Sequence, residues 1–139
     1  MLKLKKLFIL SAGVILIGHS SSEAEPYEKV LKHPKCELTS IAEISSRLGQ
    51  DINGKFVPAD PKEVGTSISY RNGIYGVSYD YVPAISKRSR VGDSVRLCLI
   101  SQYIHCPKGD DRGKTYKAIN LRTKEKWSLP DAEHVCGGA

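Results

Sequence analysis

Residues 66–82 read TSISYRNGIYGVSYDYV, and this stretch decides the fold. Asn72-Gly73 at its centre is a strong hairpin signal, because both residues tolerate positive φ in a type I′ turn. A two-residue turn sets Tyr70 opposite Tyr75, Ser69 opposite Gly76, Ile68 opposite Val77 and Thr66 opposite Tyr79. One face then collects Ile68, Tyr70, Tyr75, Val77 and Tyr79, and the other collects Ser67, Ser69, Gly76 and Ser78. The turn and the alternation agree on one register. Pro83 is expected to end the second strand, since proline cannot donate to a ladder.

The same period of two recurs along the chain. Val95, Leu97 and Leu99 alternate with Arg96 and Cys98. A second hairpin is expected from Thr115 to Leu129 around Arg122-Thr123-Lys124-Glu125, with Tyr116, Ala118, Trp127 and Leu129 on one face. Arg122 and Glu125 are expected to form an exposed pair across its turn. Residues 36–48 fit a helical stripe (Leu38, Ile41, Ile44, Leu48) and also a strand (Leu38, Ala42, Ile44, Leu48). A strand is preferred for the Ser, Thr and Ile content and the β context. Gly and Pro mark 49–65 as turns, and 107–114 as a long polar turn. The expected fold is all-β: a small disulfide-stabilised sandwich or barrel of about five or six short antiparallel strands.

The N-terminus has the three parts of a signal peptide. Lys3, Lys5 and Lys6 precede an apolar run from Leu7 to Gly18, shorter than the roughly 20 residues a bilayer span needs. Ser22-Glu23-Ala24 offers small residues for cleavage after Ala24; an uncleaved anchor is the other reading. The expected organisation is a cleaved signal over 1–24, a mobile lead-in over 25–35 and one β domain over 36–139. Removing Lys3, Lys5, Lys6 and Glu23 with the signal lowers the formal charge from +6 to +4. That is too modest a surplus for a dedicated nucleic-acid binder, and it suits weak attraction to acidic partners. No membrane association is expected once the signal is removed.

Cys36, Cys98, Cys106 and Cys136 follow the export signal, so disulfides are the expected state. Of the three possible pairings, the nested one is preferred. Cys98–Cys106 would clasp a short segment, and Cys36–Cys136 would tie the ends of the domain. Zinc is the rival, through His105-Cys106 and His134 near Cys136, but the spacing matches no paired knuckle. No metal or cofactor is expected.

Several local patterns stand out together: Val77-Ser78-Tyr79-Asp80 with Val82-Pro83-Ala84-Ile85, then Gly109-Asp110-Asp111-Arg112-Gly113. Asn120-Leu121-Arg122-Thr123 follows, and then Leu129-Pro130-Asp131, His134 and Cys136-Gly137-Gly138. Over residues 66–139 the chain resembles a group of small bacterial exported proteins of unknown role. The resemblance implies an exported, disulfide-bearing protein and assigns no residue a function.

Asp110-Asp111 is the only acidic pair of adjacent residues in that loop, and its cationic, glycine-rich surroundings point to a solvated turn. Asp131 and His134 form no triad with any recognisable nucleophile motif. Lys87, Arg88 and Arg90 concentrate positive charge in a projecting loop. Tyr70, Tyr75 and Tyr79 share the first hairpin's face, either as core or as an aromatic platform for a glycan or protein. The expectation is a periplasmic or secreted binding module of the inhibitor, immunity or envelope-binding kind. Its partner is expected to be a protein or an acidic envelope component, met through Lys87, Arg88, Arg90, Tyr70, Tyr75 and Tyr79. The alternative is an enzyme acting on an envelope polymer through Asp110, Asp111, His105 or His134.

Overall fold

The computed structural model describes residues 28–138. The expected signal over 1–24, with residues 25–27 and 139, lies outside the described residues. The elements run β1 (Glu28–Ser46), β2 (Gly49–Ile52), β3 (Lys55–Pro58), α1 (Pro61–Val64), β4 (Thr66–Tyr70), β5 (Tyr75–Ser78), α2 (Pro83–Ser86), β6 (Ser94–Ile104), β7 (Lys114–Asn120) and β8 (Lys126–Pro130). Six strands form one antiparallel sheet in the order β5-β4-β1-β6-β7-β8. The sheet rolls up until its edge strands β5 and β8 pack together without hydrogen bonds. Gly76 permits this approach: a Cβ there would lie 3.2 Å from both Ile68 and Leu129.

The all-β expectation holds, but two strands are long. β1 spans 19 residues and β6 spans 11. Residues 28–35, expected as a lead-in, belong to β1 and pair with β6. The 37–48 segment is strand through Ser46, as its Ser, Thr and Ile content suggested. β1 serves both halves of the sheet. Residues up to Ser40 pair with β6, and Ile41 to Ser46 pair with β4, with a register irregularity between Ile41 and Glu43.

The first hairpin differs from its expected register by one residue. Ser69 faces Tyr75, Ile68 faces Gly76 and Ser67 faces Val77. The Gly73 amide donates to the Tyr70 carbonyl, and the Tyr70 amide donates to the Ile74 carbonyl. Gly73 has φ +85° while Asn72 is not in the positive-φ region. The loop is therefore a three-residue turn closing on a left-handed glycine. The extra residue turns Tyr75 and Val77 to the face opposite Ile68 and Tyr70. The type I′ geometry occurs instead at Asn53-Gly54 (φ 55° and 77°), where β2 and β3 form a hairpin inside the stretch expected to be turns. β5 ends at Ser78, and Pro83 starts α2 rather than ending a strand.

The second hairpin keeps its expected face, but Asn120 rather than Arg122 stands opposite Glu125, a shift of two residues that leaves every side chain on the same side. Tyr116 pairs with Leu129 and Ala118 with Trp127. These side chains enter the core with Ile41, Ile68, Tyr70, Ile85, Val95 and Leu97. The Trp127 indole Nε1 donates to the Tyr70 hydroxyl at 2.9 Å, joining β8 to β4 across the interior. Burial pushes the Tyr70 hydroxyl up to about 12, against the opposing effect of this bond.

The nested disulfides are replaced by Cys36–Cys98 and Cys106–Cys136. Cys36 and Cys98 are direct cross-strand partners on β1 and β6, with Cα atoms 4.0 Å apart. Cys98 cannot reach Cys106 because β6 continues to Ile104. The six steps of strand from Cys98 to Ile104 span about 20 Å, about three times what a disulfide bridges. On chain-entropy grounds each bridge is worth roughly 4 kcal/mol, for sequence separations of 62 and 30.

Glycine substitution distinguishes two kinds of turn. Gly65 closes α1 at φ 90° and ψ 175°, a region open almost only to glycine, and a Cβ there would meet the backbone of Ser78 and Tyr79. Gly73 also has positive φ but faces open space. Gly65→Ala is expected to cost about 3 kcal/mol or more and Gly73→Ala about 1 kcal/mol, read from urea denaturation midpoints. Equal midpoints for the two variants would contradict this account.

Candidate functional site

The expected tyrosine platform does not form. Tyr70 is buried in the core with its hydroxyl engaged by Trp127. Tyr75 is exposed on the opposite face, a direct consequence of the shifted hairpin register, and Tyr79 is exposed just beyond the end of β5. Tyr79 lies under the Arg47 guanidinium at 4.4 Å, and Arg47 also pairs with Glu133. Tyr75 borders a groove of about 240 Å³ with Phe56, Ser67 and Ser69.

The acidic and imidazole candidates lie on the loop and tail that Cys106–Cys136 joins, with Asp111 and His134 bordering different grooves. Asp110 is not a solvated turn residue: it holds Arg112 in a two-point ion pair and accepts the Gly137 amide. These bonds keep its carboxyl well below the usual carboxylate range, the Arg112 side chain being the larger cause. Arg112 also donates to the Gly138 carbonyl. With Asp131 accepting from the Gly113 and Lys114 amides, the 107–114 loop and the tail are interlocked beside Cys106–Cys136. Asp111 is solvent-exposed and pairs with Lys114. His134 borders a groove with Tyr103 and Glu133, and His105 is exposed. All four cysteines are oxidised, so none offers a thiolate.

The basic loop is tied to the rest of the molecule. α2 leads into it, and Arg88 pairs with Glu125 at 2.7 Å. The Arg122 guanidinium grips the Asp93 carboxylate at 2.6 and 2.7 Å and donates to the Arg88 carbonyl. The expected Arg122–Glu125 pair is thus replaced by two separate ones. Asp93 is buried and also accepts from the Asn120 side chain and the Arg90 amide. Asn120, fully buried at the end of β7, caps the β7–β8 turn by accepting the Arg122 and Thr123 amides. Lys87 and Arg90 have exposed side chains.

A larger feature surrounds this loop. Inward rows of the sheet alternate with outward rows. Val95, Leu97, Ala118 and Trp127 are inward and buried. The cross-strand row between them, Leu38–Arg96–Ile119–Lys126, therefore points outward, as does the row Cys36–Cys98–Lys117–Ser128. Arg96, Lys117 and Lys126 are exposed, and Leu38 is 74% exposed. Neither row contains a carboxylate. Glu37 falls on the other face, where its carboxylate accepts from Asn72. Glu125, next to Lys126, leads by its ion pair to Arg88, so the face and the basic loop are continuous. The loop is legible in the sequence and the face is not, because the cations of the face lie on three separate strands.

Arg122, ahead of the Asn120 bond, holds the Asp93 carboxyl well below the usual carboxylate range. A folded value below the unfolded one of about 3.9 gives stability that is present at neutral pH and lost as pH falls from about 4 toward the folded value. Asp93→Asn is expected to cost about 2 kcal/mol at neutral pH, and the gap to the native chain should narrow near pH 2. A gap that stays constant with pH would contradict the charged role of Asp93.

Set against known proteins, the chain matches no family model, no curated protein and no solved structure.

Proposed function

We propose that this chain is an exported module, periplasmic or secreted, that works by binding an acidic partner. The observation that carries this reading is the outward face of β1, β6, β7 and β8, where Arg96, Lys117 and Lys126 stand with no carboxylate in their rows. In the loop bearing Lys87, Arg88 and Arg90, Lys87 and Arg90 extend the same field, Arg88 being paired with Glu125. The acids beside it, Asp93 and Glu125, are already neutralised by Arg122 and Arg88. These pairs remove equal numbers of acids and bases, and the cations that stand together on the face concentrate a moderate total charge locally, which is what steers an acidic partner. The paired cysteines support an oxidising compartment, and the signal-like segment over 1–24 supports export. The Cys36–Cys98 disulfide fixes the backbone from which these side chains project, which supports binding without backbone rearrangement.

Affinity for a soluble polyanion, dextran sulfate, tests the reading. The triple variant Arg96→Ser, Lys117→Ser, Lys126→Ser should bind at least about tenfold more weakly than the native chain at low salt, and the two should converge at high salt. Lys87→Ser, Arg88→Ser, Arg90→Ser should give a smaller loss. Failure of the native chain to bind at low salt would overturn the reading, as would equal binding by the first variant.

A further inference from the structure

We propose that the same face docks on an anionic lipid surface, an inference that rests on reading it as an acidic-partner site. Charge alone does not describe this face. Leu38 sits beside Arg96, and Ile119 sits between Arg96 and Lys126. Leu38 is 74% exposed and Ile119 is half-buried. An apolar side chain held in water among cations gains nothing from a soluble polyanion. It gains from a partner that has anionic groups at its surface and hydrocarbon just beneath.

The shape of the face argues the same way. It is the outside of a rolled sheet, with side chains standing in cross-strand rows, and the three cations lie in two adjacent rows. Arginine and lysine stems can lie along such a surface while their heads reach headgroup phosphates. The Cys36–Cys98 disulfide lies in the second row and fixes β1 against β6, so Leu38 and Arg96 keep their places. The arrangement combines cationic attraction with shallow apolar burial, the two contributions that add in interfacial binding. Docking of this kind needs no spanning segment, and among the described residues no helix is long and apolar enough to cross a membrane. On this proposal the mature chain lies on a membrane surface, in place of the expected one clear of membranes.

Flotation of the oxidised protein with vesicles tests the proposal, comparing phosphatidylglycerol–phosphatidylcholine with phosphatidylcholine alone. The native chain should float with the anionic vesicles at low salt and not with the neutral ones. Each cation near an anionic leaflet contributes about fivefold, so Arg96→Ser, Lys117→Ser, Lys126→Ser should reduce partitioning at least tenfold. Lys55→Ser, Lys62→Ser, Lys108→Ser removes the same charge elsewhere and should leave at least half of the binding. Leu38→Ser keeps every charge and should reduce vesicle partitioning about threefold or more while leaving affinity for dextran sulfate unchanged. Vesicle partitioning insensitive to Leu38→Ser would overturn the lipid assignment. An equal loss from both lysine–arginine sets would overturn the face. Binding to dextran sulfate without binding to anionic vesicles would also overturn the lipid assignment, yet leave the acidic-partner reading standing.

Discussion

The pairing of β1 with β6 is the constraint on which the rest of the structure depends. β1 is the only strand shared by the two halves of the sheet, joining β6 on one side and β4 on the other. Its register with β6 decides which residues of both strands enter the core. A slip of one residue would turn Val95 and Leu97 outward and bring Arg96 toward the interior. Cys36–Cys98 sits across this ladder and forbids the slip, since the two cysteines are register partners. The bond thus holds the core and, on the opposite surface, the rows of cations and apolar side chains.

Ion pairs and hydrogen bonds tie down the loops at the two ends of the barrel. At one end Asp93 gathers Arg122, Asn120 and the Arg90 amide, tying the basic loop to the β7–β8 turn. At the other, Asp110 and Asp131 hold the 107–114 loop against the tail that Cys136 anchors. Both arrangements consume carboxylates inside the fold. Each such pair removes one acid and one base and leaves the net charge unchanged, while Lys87, Arg90, Arg96, Lys117 and Lys126 remain at the surface, so the same modest surplus is concentrated in one region.

The sequence was legible where alternation was strong and the turn short in reach. Tyr116, Ala118, Trp127 and Leu129 could be assigned to one face because the alternation fixes it, and the two-residue difference between the expected and the observed β7–β8 register leaves that face unchanged. Asn72-Gly73 misled because the same dipeptide also suits a three-residue turn with one left-handed glycine, and the one-residue difference reverses a face. Asn53-Gly54 has the two-residue turn, but the exposed strands beside it carry no core alternation to reveal it. The disulfide pairing was hidden because separation along the chain says little about distance once β6 runs straight past Cys98. The basic face was hidden for a related reason: Arg96, Lys117 and Lys126 become neighbours only through ladder register, and Asp93 neutralises Arg122 from a distant loop.

Peptide mapping of the oxidised protein without reductant tests the β1–β6 register most directly. The account predicts one cross-linked peptide pair joining Cys36 to Cys98 and another joining Cys106 to Cys136. A Cys98–Cys106 or Cys36–Cys136 link would contradict it, because β1 and β6 would then lack the register that buries the core and builds the basic face.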